Sequence, residues 1–332
     1  MPDNNWTCLV TGGAGFIGSH LVDALVNVGH RVRVLDNLST GNRANLAQVH
    51  DRIEFIVGDL VDYRIVQKAT RGVDFVFHQA ALASVPRSVA DPMATHEACA
   101  TGTLNVLLAA RAEKVKRVIY AASSSAYGKC ERLPKRESDP TLPMSPYAVA
   151  KLAGEQYCAA FTEVYGLETV RLRYFNIFGP RQPPGSPYSA VIPLFIYAML
   201  HDRSPVIYGT GNQSRDFTYI DNAVQANLLA ARATRAAVGQ VYNVGCGGRV
   251  SLLELIDTLN DLLGTSIRPK HDAPRPGDVA HSEADISAAR RDLGYVPAVD
   301  LKEGLRRTVV CYQSTADDTV GELGIAAGIT AS

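Results

Sequence analysis

One short stretch constrains this chain more than any other. An apolar run from Thr7 to Thr11 breaks into Gly12-Gly13-Ala14-Gly15-Phe16-Ile17-Gly18, and an apolar helical pattern follows at once. Gly12, Gly15 and Gly18 fall in a G-x-x-G-x-x-G spacing. Glycine lets the backbone turn out of a strand and come close to a pyrophosphate, and the helix start beyond it offers unpaired N–H groups and the positive end of a dipole. Gly18 lets that helix pack tightly on a sheet. A tight strand-to-helix turn without a ligand would use the same glycines, so the motif has to be weighed with its context. The second strand ends at Asp36, close to the offset of about 20 residues at which an acid binds an adenosine ribose. A carboxylate there favours NAD, since it would repel the 2′-phosphate of NADP. Asp59, in Gly58-Asp59-Leu60 after the third strand, sits where an adenine amino group would be read, or is an exposed turn carboxylate.

The rest of the first half repeats the same rhythm. Strand-type runs at Thr7–Thr11, Arg31–Leu35, Ile53–Val57, Val73–Phe77, Arg117–Ala121 and Glu168–Arg173 alternate with helical patterns at Phe16–Val28, Val61–Thr70, Asp91–Glu113 and Pro146–Tyr165. Such alternation predicts a doubly wound α/β (Rossmann) fold, a parallel sheet covered by helices on both faces. After Asn176 the segments shorten around two Pro/Gly-rich loops, 179–189 and 273–278, which predicts a smaller C-terminal lobe. The expected division is a dinucleotide-binding part over 1–176, a substrate-binding lobe over 177–313 packed intimately against it, and a loosely held tail over 314–332.

Composition excludes more than it assigns. Lys+Arg and Asp+Glu both number 33 among 332 residues, so no global basic field exists to hold nucleic acid or an anionic membrane. The six cysteines form no C-x-x-C pair and no zinc-type spacing with histidine, so no metal is expected and a reducing cytoplasm suits them. The polar start from Met1 to Thr7 resembles no signal peptide, and no apolar run reaches the ~20 residues of a membrane helix.

Tyr147 and Lys151 lie four apart in a predicted helix and so share a face. A free tyrosine titrates near pH ~10, and a nearby ammonium favours the phenolate. The pair can take a proton from an alcohol while hydride leaves the same carbon. Alone the pattern is common on helix surfaces; downstream of a dinucleotide fingerprint it becomes informative. The fifth strand runs into Ser123-Ser124-Ser125-Ala126-Tyr127-Gly128, at the carboxyl end of the sheet where doubly wound folds bind ligands.

With these residues the sequence resembles the extended short-chain dehydrogenase/reductase family over residues 7 to about 313, and within it the UDP-hexose 4-epimerase group, in particular the branch acting on N-acetylated sugars. The motifs carrying the likeness are Thr11–Gly18, Leu35–Gly41, Ser123–Gly128, Ser145–Lys151, Arg173–Arg181 and Arg215–Ile220. The resemblance implies Ser123, Tyr147 and Lys151 as the catalytic residues. It implies an NAD site from Gly12, Gly15, Phe16, Ile17, Gly18, Asp36, Asn37, Ser39, Thr40, Gly41, Asp59, Leu60, Ala80, Ala81 and Tyr174, with Tyr147 and Lys151. It implies a UDP-sugar site from Ala83, Ser84, Ser124, Ser125, Asn176, Ala190, Val191, Tyr208, Arg215, Arg275, Asp278 and Ser282. Guanidinium forks at Arg215 and Arg275 match diphosphate oxygens. Cys99 stands where the family carries an asparagine that orders the region near the lysine.

Related dehydratases place an acid within the segment Ser123–Tyr127, and this chain has none there, which leaves C4 oxidation and return of hydride to the other face. Ser282 replaces a bulky tyrosine found in relatives restricted to UDP-glucose and UDP-galactose, so the expectation is a UDP-N-acetylglucosamine 4-epimerase serving polysaccharide synthesis. UDP-glucose or UDP-glucuronate epimerisation, or another nucleotide-sugar-modifying activity, is the alternative among enzymes. A non-catalytic NAD-binding regulator is the alternative outside them, and the intact Tyr147 and Lys151 count against it. The apolar residues Leu104, Leu107, Leu108, Leu152 and Phe161 on two helices are more than one sheet face should need, and the resemblance implies that such helices pair, so a homodimer through a four-helix interface is expected.

Overall fold

The computed structural model describes residues 5–183, 190–274 and 279–319. Seven strands form one parallel sheet. Six of them are β1 (Thr7–Thr11), β2 (Arg31–Asp36), β3 (Ile53–Val57), β4 (Phe75–His78), β5 (Arg117–Ser123) and β6 (Glu168–Tyr174). The seventh, Val241–Val244, comes from the C-terminal half and pairs with β6 at the edge. The spatial order Val241–Val244, β6, β5, β4, β1, β2, β3 reverses direction between β1 and β4. That crevice is where doubly wound sheets bind ligands.

Alternation along the strands assigns each face its own core. In β1, Cys8 and Val10 point into one cluster with Leu21 and Leu25, while Leu9 points into the other with Val106 and Phe161. In β5, Ile119 and Ala121 join the first cluster and Val118, Tyr120 and Ala122 the second. Helices α1 (Phe16–Asn27) and α8 (Ile220–Arg232) cover the first face. Helices α2 (Tyr63–Thr70), α5 (Gly102–Ala112) and α6 (Pro146–Tyr165) cover the second.

Local chemistry fixes the helix that matters most. The Ser145 side chain accepts from Ala148 N at 3.2 Å, Pro146 occupies the first turn, and Gly166 closes the helix in the left-handed region at φ +70°. These are the preferred start and stop residues of a helix. The single long helix expected over Asp91–Glu113 is broken into pieces. Asp91 caps α4 (Pro92–His96), a π-helical turn spans Glu97–Thr101, and α5 continues from Gly102. A short α3 (Val85–Ala90), capped by Ser84, precedes them and was not legible in the sequence.

The C-terminal half is woven into this core. Besides the edge strand and α8 it supplies α7 (Val191–Leu200), α9 (Leu252–Leu263), α10 (Ser287–Leu293) and α11 (Leu301–Thr319). The expected loose tail from 314 overlaps the end of α11; the remainder lies outside the described residues, as do Arg275 and Asp278 of the expected substrate set. Among the described residues no two cysteines form a disulfide, no His/Cys/Asp/Glu group could hold a metal ion, and no helix is long and apolar enough to cross a membrane.

Candidate active site

A cleft of ≈ 1060 Å³ runs along the carboxyl end of the sheet. Its nucleotide end is made by the glycine turn. Gly12 sits at φ +68°, and a Cβ there would lie 2.6 Å from the Ala80 Cα; a Cβ on Gly18 would lie 2.1 Å from the Gly12 carbonyl oxygen. Both positions therefore require glycine. Gly15 precedes α1 without any side-chain cap, so the first N–H groups of the helix face the cleft unpaired by side chains.

Gly12, Gly15, Phe16, Ile17, Gly18, Asp36, Asn37, Ser39, Thr40, Asp59, Leu60, Ala80, Ala81, Tyr147 and Tyr174 all line this cleft. The Asp36 carboxylate accepts from Ala14 N at 3.0 Å and Leu38 N at 2.8 Å. Asn37 donates to Asp59 at 2.6 Å, which ties the ends of β2 and β3 together. Gly41 stands behind the wall, where a Cβ would come within 2.9 Å of the Asp36 carboxylate.

At the middle of the cleft, β5 delivers Ser123 and α6 delivers Tyr147. The Ser123 hydroxyl hydrogen-bonds Ser125 Oγ at 2.8 Å and is also a hydrogen-bond partner of the Tyr147 phenol. Burial pushes that phenol above its ordinary value near 10, with Cys99 adding to the rise and Ser123 opposing it. Lys151, one turn on, is buried, and its ammonium lies 4.5 Å from the Tyr120 ring centroid. Among the described residues no acceptor takes a hydrogen bond from it. Burial lowers its pKa, while Cys99, Cys158 and Glu155 oppose the fall. The spacing in the sequence suggests that Lys151 holds down the Tyr147 pKa. In the chain alone the phenol is instead governed by burial, because desolvation outweighs every neighbouring charge.

Cys99 occupies the π-helical turn at 1% exposure, and the Leu82 N–H donates to its sulfur. Thr103 Oγ1 donates to the Cys99 carbonyl at 2.6 Å and lies 2.8 Å from His78 Nε2; His78 Nδ1 lies 2.7 Å from Thr11 Oγ1. With the Thr103 proton committed to Cys99, His78 must donate from Nε2 and accept at Nδ1 from Thr11. A single neutral tautomer thus links β1, β4 and α5 behind the cleft.

The far end holds Ala83, Ser84, Ser124, Ser125, Asn176, Ala190, Arg215 and Ser282. A side cavity of ≈ 270 Å³, lined in part by Val191, Tyr208, Phe195, Phe217 and Leu252, shares Asn176, Ala190 and Arg215 with the cleft. Ser282 is held by its backbone N–H on the Ser214 carbonyl at 3.0 Å. Sequence reasoning missed Gln79, Arg87, Lys135 and His281 on the cleft wall. Gln79 follows β4 at the sheet's carboxyl end, so topology alone would have found it; Lys135 carries no local signal.

Residues 8–245 match the model of the NAD dependent epimerase/dehydratase family. The chain belongs to that family, and NAD is its cofactor. Among solved structures it is similar to a UDP-N-acetylglucosamine 4-epimerase from Methanobrevibacter ruminantium M1 in complex with UDP-N-acetylmuramic acid, at 43% identity, TM-score 0.89, covering 94% of this chain and 99% of that one. A UDP-glucose 4-epimerase from Thermus thermophilus complexed with NAD is 36% identical at TM-score 0.85, covering 92% of this chain and 99% of that one. A putative UDP-glucose 4-epimerase of Methanocaldococcus jannaschii is 39% identical over 303 residues, covering 91% of this chain and 96% of the relative.

Proposed function

We propose that this protein is an NAD-dependent 4-epimerase that interconverts UDP-N-acetylglucosamine and UDP-N-acetylgalactosamine. The observation that carries the catalytic reading is the Lys151 ammonium, buried one helical turn from Tyr147 and without a hydrogen-bond acceptor among the described residues. Burying an unpaired ammonium is costly, so the site is built for ligand hydroxyls to complete it. The residues fit NAD: the glycine cradle admits a pyrophosphate, Asp36 admits a ribose without a 2′-phosphate, and Lys151 meets the second ribose. When bound there, NAD would supply reversible hydride acceptance for oxidation and reduction at sugar C4.

The chain's own residues handle the proton and the geometry. Tyr147 takes the C4 hydroxyl proton, and Ser123 bridges the phenol to the sugar oxygen. Since burial, with Cys99 adding to it, raises the phenol, its ionisation depends on cationic charge at Lys151 and on the loaded site. Arg215 holds the diphosphate, with Arg275 assigned to it by the resemblance. The side cavity around Phe217 and Tyr208 takes the uridine. Neither Ser124, Ser125 nor Ala126 offers an acid for elimination.

Ser282 supports an acetamido sugar, because it lines the sugar end of the cleft in the company of Ser123 to Ser125. Ser282→Tyr would refill that space, and overpacking costs about 1–3 kcal/mol. Activity on UDP-N-acetylglucosamine then falls at least tenfold more than activity on UDP-glucose, on the order expected from ~1.4 kcal/mol per decade. Equal losses on both sugars, or a wild type that turns over only UDP-glucose, would overturn the acetamido assignment. The free thiols fit a reducing cytoplasm, and the outer faces of α5 and α6 fit a homodimer.

A further inference from the structure

Lys135 is a buried cation that the reaction as derived does not use. It is 3% exposed and lines the cleft with Tyr127, Gly128 and Ser282. Its backbone is clamped on three sides. The Lys135 N–H donates to the Glu283 carbonyl at 2.7 Å, and its carbonyl accepts from Asp285 N at 2.8 Å and Asn243 Nδ2 at 2.9 Å. The segment bridged to it, through Ala284, is the one that carries Ser282. A residue fixed this firmly is not a solvated surface lysine.

Its ammonium donates to the Cys130 carbonyl and to nothing else among the described residues. The carboxylates on its own segment and on the segment bridged to it are engaged elsewhere. Asp139 pairs with Arg132, Asp285 with Arg136 and Glu283 with Arg249, while Glu137 accepts from Asn243 N. Two ammonium protons, and the charge of a side chain that is 3% exposed, are therefore left without an anionic partner among the described residues. Such a charge is strongly unfavourable until an anion meets it.

Resting on the nucleotide-sugar reading above, we propose that Lys135 binds a carboxylate carried by the sugar, so that the preferred substrate is an acidic 2-acetamido sugar nucleotide. The diphosphate is the other anion available, but Arg215 lines both the cleft and the side cavity, whereas Lys135 lines the cleft alone and is joined through Asn243 to Tyr127 of the serine segment. Lys135 and Ser282, which lies two residues before the bridge partner Ala284, would read the carboxylate and acetamido groups together. The carboxylate can stand at C6, as in a hexosaminuronate, or on a lactyl ether at C3; both present the same charge.

The test compares the purified, NAD-loaded wild type with Lys135→Met and Lys135→Arg. Turnover and equilibrium binding are measured with UDP-N-acetylglucosamine, UDP-N-acetylglucosaminuronate and UDP-N-acetylmuramate, and folding is checked by thermal melting. Charge-assisted hydrogen bonds predict that Lys135→Met lowers the ratio of acidic to neutral kcat/KM by about 10- to 100-fold, through KM, and that Lys135→Arg restores most of it. Preference for the uronate places the carboxylate at C6, and preference for the muramate places it at C3. A ratio unchanged within about threefold in Lys135→Met, or a wild type that binds neither acid better than the neutral sugar, overturns the proposal. If no sugar is epimerised but the binding ratio still depends on Lys135, the reaction assignment fails while the carboxylate site stands.

Discussion

At the scale of single residues, the site's chemistry is set by what burial does to each ionisable group. Tyr147 is pushed toward its neutral form and Lys151 toward losing its charge, so each needs a partner to reach its working state. Tyr147→Phe keeps the ring and removes the proton acceptor. It should lower kcat by at least about 10²-fold while leaving the melting temperature and NAD content near wild type, which assay and absorbance of the purified variant would show. Lys151→Met removes the ammonium one turn away. The phenolate then forms only at higher pH, so the alkaline shift of the kcat profile measures the lysine's influence; an unshifted profile would mean that Lys151 does not tune Tyr147.

His78 gives a second residue-level prediction, of stability rather than turnover. Burial, aided by the Lys151 charge, pulls it down from 6.5 to about 3. The folded protein therefore keeps it neutral while the unfolded chain protonates below its ordinary pKa. Its contribution to stability is complete above pH 6.5 and is lost progressively as the pH falls toward 3. At about pH 4.5 the loss from this one group is on the order of 2–3 kcal/mol. Urea unfolding from neutral pH to about pH 4.5 should show the extra proton uptake in the wild type and not in His78→Gln.

Among the elements, the strands and capped helices were the legible part. β1 and β3 begin and end where the apolar runs do, and the helix expected over Pro146–Tyr165 has those bounds, with Ser145 and Gly166 as its caps. Glycine, proline and capping residues act locally, so their effect can be read without the fold. The π-helical turn at Glu97–Thr101 could not be read this way. It is supported by His78 and Thr103, a contact across 25 residues that no periodicity encodes. The edge strand Val241–Val244 was hidden for the same reason, as its pairing with β6 is a long-range event. The candidate site divides along the same line: residues at strand ends were found from the motifs, and Lys135 and His281, brought in by tertiary bridges, were not. The glycine turn gives the element-scale prediction. Gly12→Ala combines a positive φ with a backbone clash, so it should cost about 1–3 kcal/mol in stability and yield protein without NAD; cofactor retained at wild-type stoichiometry would contradict the cradle.

For the whole molecule, α6 has a different task on each of its two faces. Lys151, Glu155 and Cys158 turn inward, while Val149, Tyr157 and Val164 are exposed, with Leu108 exposed on neighbouring α5. Exposed apolar residues on one helix face are the kind of surface that association would bury. A homodimer that buries this face places the catalytic helix at the interface, and sedimentation should show a dimer at micromolar protein that Val149→Glu with Tyr157→Glu converts to monomer. A wild type that sediments only as monomer would contradict it.

The central claim is that the hydride removed from C4 returns to the same sugar. Incubating the NAD-loaded protein with UDP-N-acetylglucosamine in D₂O and following the sugar by NMR tests it most directly. The account predicts UDP-N-acetylgalactosamine carrying protium at C4, and no product from Tyr147→Phe. Deuterium at C4, or no epimer at all from the wild type, would contradict it.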